Sequence, residues 1–294
     1  MTRPAIGLIG LGLMGGALAD RFLGAGQRVL GWDIATERRD AHRERGGNVA
    51  RDEQDVFSSC SRVLLSLPSH REVGDVVRTA GAALGRGLTI IDTTTGDPAG
   101  SEELATTLNE QGVVYLDATI SGSSAQVRAG SATVMVGGDA GAIEACSDIF
   151  GAIGSQTFHT GPAGTGAKMK LVTNLVLGLN RAALAEGLAF AASIGLDPAL
   201  SLSVMRGSLA YSSIMDTKGE RMIRGDFSPD ARLSQHLKDV RLIVDTGHHA
   251  GLPMPLSAAH RTVLEEAEAA GYGELDNSAI IKVLEAASRN RVTE

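Results

Sequence analysis

The feature that most constrains this chain is a run of glycines directly after its first apolar segment. Residues 7–20 read GLIGLGLMGGALAD and contain the spacing Gly10-x-Gly12-x-x-Gly15. The apolar segment before the glycines predicts a strand, the residues after them predict a helix, and a second apolar segment ends at Asp33. In this context the motif is typical of a turn that binds the pyrophosphate of a dinucleotide.

Each glycine has a separate physical task in such a turn. Gly10 permits the tight bend, Gly12 lets the backbone approach the pyrophosphate, and Gly15 lets the helix pack closely against the strand. The amide groups at the start of the helix then face the charge of the phosphates. The predicted cofactor site includes the whole turn: Gly10, Leu11, Gly12, Leu13, Met14 and Gly15.

Asp33 predicts which dinucleotide is bound. It lies about 20 residues beyond the start of the motif, the distance at which an acid reaches the adenosine ribose. A carboxylate at this position accepts hydrogen bonds from both ribose hydroxyls and repels the additional phosphate of NADP. The sequence therefore predicts NAD, with NADP less favoured. Arg38 and Arg39 lie close by, but we expect them on the outer face of the next helix.

The same stretch also has the layout of a secretory signal, with Arg3, an apolar run and an A-x-A sequence that ends at Ala19. Five glycines between positions 7 and 16 argue against it, because the core of a signal peptide is usually rich in Leu and Ala. Cleavage after Ala19 would also remove the first strand. We therefore expect a cytoplasmic protein, in which the distant Cys60 and Cys146 are reduced thiols.

Composition argues against several classes of partner. The formal net charge is −7 and basic runs are missing from the sequence, which disfavours nucleic acids and anionic membranes. Aromatic residues make up 3% of the chain, too few for binding by base stacking. We expect no apolar stretch of the roughly 18 residues that span a membrane. The two cysteines and the adjacent His248 and His249 lack ligand spacing, so no metal site is predicted.

The pattern of apolar segments changes near residue 163. Before it, short continuous apolar runs alternate with helical segments, which is typical of a parallel sheet covered on both faces. Strands are predicted over 5–10, 28–33, 62–67, 88–92, 113–117 and 132–138. Beyond it, periodic segments rich in Ala and Leu predict helices over 165–194, 198–208, 213–223, 230–251, 255–270 and 276–289. The predicted fold is α/β, with a Rossmann-type domain over 1–163 and an all-α domain over 164–294.

Further segments follow the glycine motif in a particular order. They are LPS (67–69), DTTTGDP (92–98), DATISGSSAQVRAG (117–130), GPAGTGAKMKLVTN (161–174) and HLKDV (236–240). In this order the chain resembles the β-hydroxyacid dehydrogenase family, whose members include 3-hydroxyisobutyrate dehydrogenase and tartronate semialdehyde reductase. The resemblance covers essentially the whole chain, and the succession of motifs is specific where any single one is not.

The resemblance implies roles for particular residues. The Gly/Ser-rich loop would bind the carboxylate of the substrate through Ser121, Gly122 and Ser123. Lys170 would be the catalytic acid and base, and Asn174 its substrate-binding companion. Four positions would line the cofactor: Leu67, Pro68, Thr95 and Lys238. The loop could instead be an ordinary turn, and Lys238 could be a surface ion-pair partner of the residue that follows it.

The residues themselves support the role of Lys170. It stands four positions before Asn174, so a helix places both side chains on one face. A lysine exchanges protons near neutral pH when desolvation lowers its pKa, and in its neutral form it can take the proton of a hydroxyl group. The residues that follow, LVTNLVLGL, are mostly apolar and favour burial of Lys170. Lys168 and Lys218 are expected to be surface charges.

Two positions depart from the family pattern. The second glycine of the substrate loop is replaced by Ser123, and the asparagine expected before Asn174 is replaced by Thr173. Decarboxylating relatives such as 6-phosphogluconate dehydrogenase have a histidine where Thr173 stands, so Thr173 argues against that branch. Imine reductases typically replace the catalytic lysine, so Lys170 argues against that one.

The sequence as a whole predicts NAD-dependent oxidation of a small β-hydroxy acid to its semialdehyde or keto acid. The apolar helices of the second half predict a homodimer or homotetramer. Two alternatives remain open. One is a reductase of a small carbonyl acid that also accepts NADPH, and the other is a nucleotide-binding sensor that performs no chemistry. The identity of the β-hydroxy acid and the direction of the reaction stay open as well.

Overall fold

The computed structural model describes residues 5–290, with side chains as far as residue 286. Contacts within the chain define two compact units, Met1–Lys170 and Leu171–Glu294. The first is an α/β unit with a Rossmann-type sheet and the second is entirely helical, which confirms the predicted fold class. The boundary predicted at residue 163 lies before a helix whose first turns belong, by their contacts, to the first unit.

A single eight-stranded sheet organises the first unit. Its strands are β1 (Ile6–Ile9), β2 (Val29–Trp32), β3 (Asn48–Val49), β4 (Arg62–Leu65), β5 (Thr89–Asp92), β6 (Val114–Ser121), β7 (Ala132–Gly137) and β8 (Gly154–Gly161). Their order is β3-β2-β1-β4-β5-β6-β7-β8. All neighbours are parallel except the antiparallel pair β6 and β7. The order reverses between β1 and β4, and in such sheets ligands bind beyond the carboxyl ends of the strands at that point.

Helices connect the strands and make up the second unit. In the first unit they are α1 (Leu13–Gly24), α2 (Thr36–Glu44), α3 (Glu53–Ser59), α4 (His70–Ala80), α5 (Pro98–Glu110), α6 (Ser124–Ala129), α7 (Ala140–Ala145) and α8 (Ser147–Ile153). The long helix α9 (Thr165–Ser193) begins in the first unit and continues into the second. The remainder are α10 (Pro198–Arg206), α11 (Glu220–Arg224), α12 (Leu233–His249), α13 (Pro255–Ala267) and α14 (Ile281–Asn290).

The sheet has a hydrophobic core on each face. Leu64 of β4 packs into the core that contains Phe22 of α1, whereas its neighbours Val63 and Leu65 pack into the core that contains Val56 of α3. Successive side chains of a strand point to opposite faces. A strand covered on both sides therefore requires an unbroken apolar run, and this explains the pattern seen in the sequence.

The sequence missed two strands and the direction of one pair. β3 has only two residues, and β8 presents mostly exposed side chains between Ser155 and His159 at the edge of the sheet. Neither strand carries an apolar run that could reveal it. The strand predicted over 113–117 continues to Ser121, and there it pairs antiparallel with β7 rather than extending a parallel sheet.

The helical unit has a third hydrophobic core, and it also contains a buried lysine. Leu184 of α9, Leu237 of α12 and Leu264 of α13 are among its members. Lys218 is buried, although the sequence predicted a surface charge. Its Nζ donates to both carboxylate oxygens of Asp276 at 2.9 Å, so the buried charge is compensated by an ion pair.

Helix α9 carries several apolar side chains on its exposed face as well as on its buried face. Val172, Val176, Phe190 and Ile194 form a stripe, because Val172 and Phe190 lie a whole number of helical turns apart. The helix contains an 18-residue window of mean hydropathy 1.4, of which only 33% is buried. By length and composition alone it could cross a membrane, so the expectation that no apolar stretch reaches that length is wrong for α9.

Candidate active site

The glycine-rich turn between β1 and α1 requires glycine at two positions. Gly10 has φ of 93°, and a Cβ atom there would lie 2.2 Å from the carbonyl oxygen of Ser66. A Cβ atom at Gly15 would lie 1.8 Å from the carbonyl oxygen of Gly10. A larger residue at either position would force backbone to move, so the glycines hold α1 directly against the end of β1.

The turn has room for a dinucleotide. A Cβ atom at Gly12 would meet nothing within residues 5–290 nearer than the Arg38 guanidinium, at 3.7 Å. Helix α1 begins without a side chain of the described residues capping its first amide groups. Uncapped amides at a helix start attract phosphate. The turn from Gly10 to Gly15 therefore fits the pyrophosphate of NAD or NADP.

Asp33 at the end of β2 is tied to this turn. Its Oδ2 accepts a hydrogen bond from the backbone amide of Leu11 at 2.7 Å, and its Oδ1 accepts one from the amide of Ala35 at 2.9 Å. Arg38 and Arg39 were expected on the outer face of α2, but both fold back to this residue. The Arg38 guanidinium lies 3.3 Å from the carboxylate, and Arg39 donates to the carbonyl oxygen of Asp33.

The ends of β4 and β5 complete the same edge of the sheet. The backbone amide of Leu67 donates a hydrogen bond to the hydroxyl of Thr94 at 3.1 Å. The Leu67 side chain lies 3.1 Å from the position that a Cβ atom of Gly10 would take. Pro68 and Thr95 follow these strands directly. The structure thus brings Leu67 beside the glycine turn, as a cofactor-lining residue requires.

The loop after β6 leads directly into α6. Ser121 ends the strand, and Gly122 has φ of 155°. Ser123 caps α6: its amide donates to the Oε1 of Gln126 at 2.8 Å, and its hydroxyl accepts from the amide of Gln126. The capping box uses the Ser123 amide as a donor and its hydroxyl as an acceptor, so the hydroxyl hydrogen can still donate to a ligand.

Lys170 is buried at the end of the same strand. Only 9% of its surface is exposed. Its Nζ donates to the carbonyl oxygen of Ile120 at 2.6 Å. Ser121 and Gly122 directly follow Ile120, so the amine of Lys170 lies at the start of this loop.

A carboxylate at the middle of β6 positions the helix that carries Lys170. Asp117 accepts hydrogen bonds from the amides of Gly164 at 2.9 Å and Ala167 at 2.8 Å. The hydroxyl of Thr119 donates to the carbonyl oxygen of Gly166 at 2.9 Å. Burial raises the pKa of Asp117, and the two amide donors oppose this by favouring the charged carboxylate. The start of α9 is therefore fixed against β6.

Asn174 lies one helical turn after Lys170, and its partners belong to the helical unit. Its Nδ2 donates to the Oδ2 of Asp239 on α12 at 3.1 Å, and both residues are buried. Lys238 places its Nζ 3.4 Å from the Oδ1 of Asp239, the ion pair that the sequence left open as an alternative. Asp239 was not predicted as a site residue, although it stands within the HLKDV segment that drew attention to Lys238.

Models of known families match both halves of the chain. Residues 5–161 match the NAD-binding domain of 6-phosphogluconate dehydrogenase. Residues 164–284 match the NAD-binding domain of NADP-dependent 3-hydroxyisobutyrate dehydrogenase. The two matches together span the sheet, the glycine turn, α9 and most of the helical unit.

Individual proteins match along nearly the full length. The chain is 33% identical over 282 residues to the L-threonate dehydrogenase of Cupriavidus necator, covering 95% of each chain. It is 32% identical over 284 residues to the 2-(hydroxymethyl)glutarate dehydrogenase of Eubacterium barkeri, covering 95% of this chain and 94% of that one. A crystal structure of 3-hydroxyisobutyrate dehydrogenase from Salmonella typhimurium superposes with a TM-score of 0.87 at 26% identity, covering 95% of this chain and 99% of the other.

The glycine turn and the sheet edge around it define a nicotinamide-dinucleotide-dependent dehydrogenase that acts on a CH–OH group. The family models and the full-length relatives identify the particular family within this class. The chain belongs to the 3-hydroxyisobutyrate dehydrogenase-like β-hydroxyacid dehydrogenase family, which confirms the resemblance drawn from its motifs.

The closeness of Gly15 to Gly10 leads to a prediction about cofactor binding. Substituting Gly15→Ala should weaken NADH binding about tenfold or more, because overpacking of this kind costs about 1–3 kcal/mol and displaces the turn. Binding is measured by the fluorescence of bound NADH. The matched control is Gly24→Ala in the same helix, since a Cβ atom there meets nothing within 4 Å among the described residues. Equal NADH affinity of the Gly15→Ala protein and the wild type would contradict the role given to this contact.

Proposed function

We propose that the chain oxidises a small β-hydroxy acid to its semialdehyde or keto acid, with Lys170 as the general acid and base. The observation that carries this proposal is the burial of Lys170 against the Ile120 carbonyl oxygen, at the entrance to the loop of Ser121 and Gly122. Lysines without a functional role are rarely buried, because removing the amine from water is costly.

The residues of this chain divide the work as follows. Ser121, Gly122 and Ser123 bind the substrate carboxylate, with the two serine hydroxyls and the Gly122 amide as donors. Lys170, in its neutral form, takes the proton of the substrate hydroxyl, and the Ile120 carbonyl oxygen orients the Nζ for that transfer. The dinucleotide, when bound, supplies the acceptor for the hydride. In the reverse direction the protonated Lys170 returns the proton to the carbonyl oxygen.

Asn174 serves as the companion of Lys170 in this proposal. Its Nδ2 is committed to Asp239, so its amide oxygen is the group that remains to contact a substrate hydroxyl. Asp239 thereby acts as a positioning residue, because the hydrogen bond at 3.1 Å determines which way the amide faces. We keep Lys238 as a cofactor-lining residue, held in place through its ion pair with Asp239.

The substrate class follows from the chemistry shared by the relatives. The names of the Cupriavidus and Eubacterium enzymes refer to L-threonate and 2-(hydroxymethyl)glutarate, and each compound has a hydroxyl group on the carbon β to a carboxylate. The proposal is tested by nicotinamide reduction with a panel of such acids: 3-hydroxyisobutyrate, serine, glycerate, threonate and 3-hydroxypropionate. Turnover of at least one is expected.

We propose NAD as the preferred cofactor, because a carboxylate at the end of β2 opposes the additional phosphate of NADP. Asp33 holds that position and is buried against the glycine turn. On the panel acid that reacts fastest, kcat/KM with NAD should exceed that with NADP by about tenfold or more, corresponding to roughly 1.4 kcal/mol. Equal or higher activity with NADP would overturn this preference, and Arg38 and Arg39 would then be the groups that bind the phosphate.

Removing the amine of Lys170 should abolish chemistry without abolishing cofactor binding. The Lys170→Ala protein is expected to bind NADH and to lose about 10²–10⁴-fold in kcat, the usual contribution of general acid–base catalysis. Lys168→Ala is the matched control, since Lys168 is two residues away on the same helix and pairs with Glu102 at the surface. A Lys170→Ala protein that turns over near the wild-type rate would refute the mechanism.

The same measurements address the rival functions. A wild-type protein that binds NADH and turns over none of the panel acids would favour the nucleotide sensor. Faster reduction of the corresponding semialdehydes, with NADPH accepted, would favour the reductase. Retention of both Lys170 and Asn174 supports chemistry over sensing, because a sensor has no use for a proton-exchanging amine.

We propose that the chain assembles into a homodimer or homotetramer, and that a second copy covers the apolar stripe of α9. The stripe of Val172, Val176, Phe190 and Ile194 is larger than the scattered apolar residues of an ordinary surface. It lies on a helix whose opposite face holds buried polar groups, which suits a protein interface better than lipid.

A charge placed in this stripe should dissociate the assembly. Val176→Glu is expected to shift the mass measured by light scattering after gel filtration from a dimer or tetramer toward the monomer. Glu266→Ala, which alters an exposed residue of α13 rather than of α9, is the control. A wild-type protein that is monomeric at micromolar concentration would contradict the proposal.

We propose a cytoplasmic location. The A-x-A sequence that resembled a cleavage site lies inside α1, where Ala17 and Ala19 are buried in the core. Cys60 and Cys146 are both free and buried, as expected of thiols in a reducing compartment.

A further inference from the structure

Arg181 on α9 is a buried cation without a hydrogen-bond partner. Only 4% of its surface is exposed, and its Nε and Nη1 have no acceptor among the residues that the structure describes. Burial lowers the pKa of Arg181 to about 10, so the guanidinium is still charged at neutral pH. A buried charge of this kind is costly unless something compensates it.

The nearby carboxylate is already committed elsewhere. Asp276 is the acid whose charge acts on Arg181, but Lys218 donates to both of its oxygens at 2.9 Å. The amide and hydroxyl of Ser278 donate to Oδ1, and two further backbone amides donate to Oδ2. Lys218 also lies 3.5 Å from Asp230, whereas Asp276 acts on Arg181 only through its charge, without a hydrogen bond to the guanidinium.

Two histidines lie next to this cation. His236 of α12 and His260 of α13 have ring centroids 5.3 Å apart. Both rings lie against Gly178, one turn before Arg181, where a Cβ atom would come within 3.0 Å of either ring. Burial and the charge of Arg181 lower the pKa of His260 to about 4, so the ring is neutral at pH 7. Its Nε2 has no partner in the described part of the chain and can donate a hydrogen bond.

We propose that Arg181 and His260, with His236 beside them, form a site in the helical unit that binds a carboxylate group. A carboxylate supplies the hydrogen-bond acceptors that the Nε and Nη1 of Arg181 lack among the described residues. The planar guanidinium matches a planar carboxylate better than it matches a spherical ion. The site is specific to this cluster and is separate from the donors at Ser121 and Gly122.

The ligand is a free carboxylate that binds independently of turnover. Arg181, His236 and His260 all belong to the helical unit, so its binding makes a carboxylate a stabilising ligand of that unit.

Binding is tested on the full chain without turnover. Glutarate is titrated by calorimetry, and its effect on Tm is compared with that of sodium chloride and sodium phosphate at equal ionic strength. Wild-type protein should bind glutarate and gain stability. Arg181→Met should weaken glutarate binding about tenfold or more, the usual effect of losing a charge-assisted hydrogen bond.

Control variants separate this site from general effects of charge. Arg224→Met removes an exposed arginine of the same unit and should leave glutarate binding unchanged. Arg181→Lys keeps the charge and loses the planar donors, so it should bind glutarate more weakly than wild type even if Arg181→Met fails to fold. Equal glutarate binding by wild type and the Arg181 variants would overturn the proposal, as would an equal gain in Tm from chloride or phosphate.

Discussion

One buried carboxylate determines where helix α9 begins. Asp117 stands in the middle of β6 and receives the amides of Gly164 and Ala167, which would otherwise be among the unsatisfied donors at the start of α9. Glycines let the chain come this close, since a Cβ atom at Gly137 would lie 2.4 Å from the Asp117 carboxylate. With the helix start fixed, Lys170 reaches the Ile120 carbonyl three residues further along the same strand. The strand therefore positions both the substrate loop and the amine.

Helix α9 buries polar as well as apolar side chains. Lys170, Asn174 and Arg181 are buried together with core residues such as Leu184, while Val172 and Val176 are exposed. The burial of Lys170 is compensated by a carbonyl oxygen and that of Asn174 by Asp239, whereas the Nε and Nη1 of Arg181 have no acceptor among the described residues. Simple amphipathic burial therefore accounts for only part of this helix.

Sequence patterns were sufficient to predict a residue's structural role where only one residue type can fill that role. Gly10 needs a positive φ and Gly15 a close contact, so both could be assigned a structural task from spacing alone. Patterns failed where a partner decides the outcome. Lys218 is buried because Asp276, its ion-pair partner, lies far away in sequence but close in space. The exposed strand β8 carries no apolar run at all. Long-range pairing of this kind has no signature in a single sequence.

The attachment of α9 to β6 also decides how such chains can be recombined. The turn at 161–164 looks like a natural junction, because the sequence changes character there. In a hybrid protein joined at residue 163, the amides that donate to Asp117 would come from a different helix. If that helix began one residue later, the buried carboxylate of Asp117 would lose these hydrogen bonds. A junction after Lys170 would instead keep the sheet, Asp117 and Lys170 together within one compact unit.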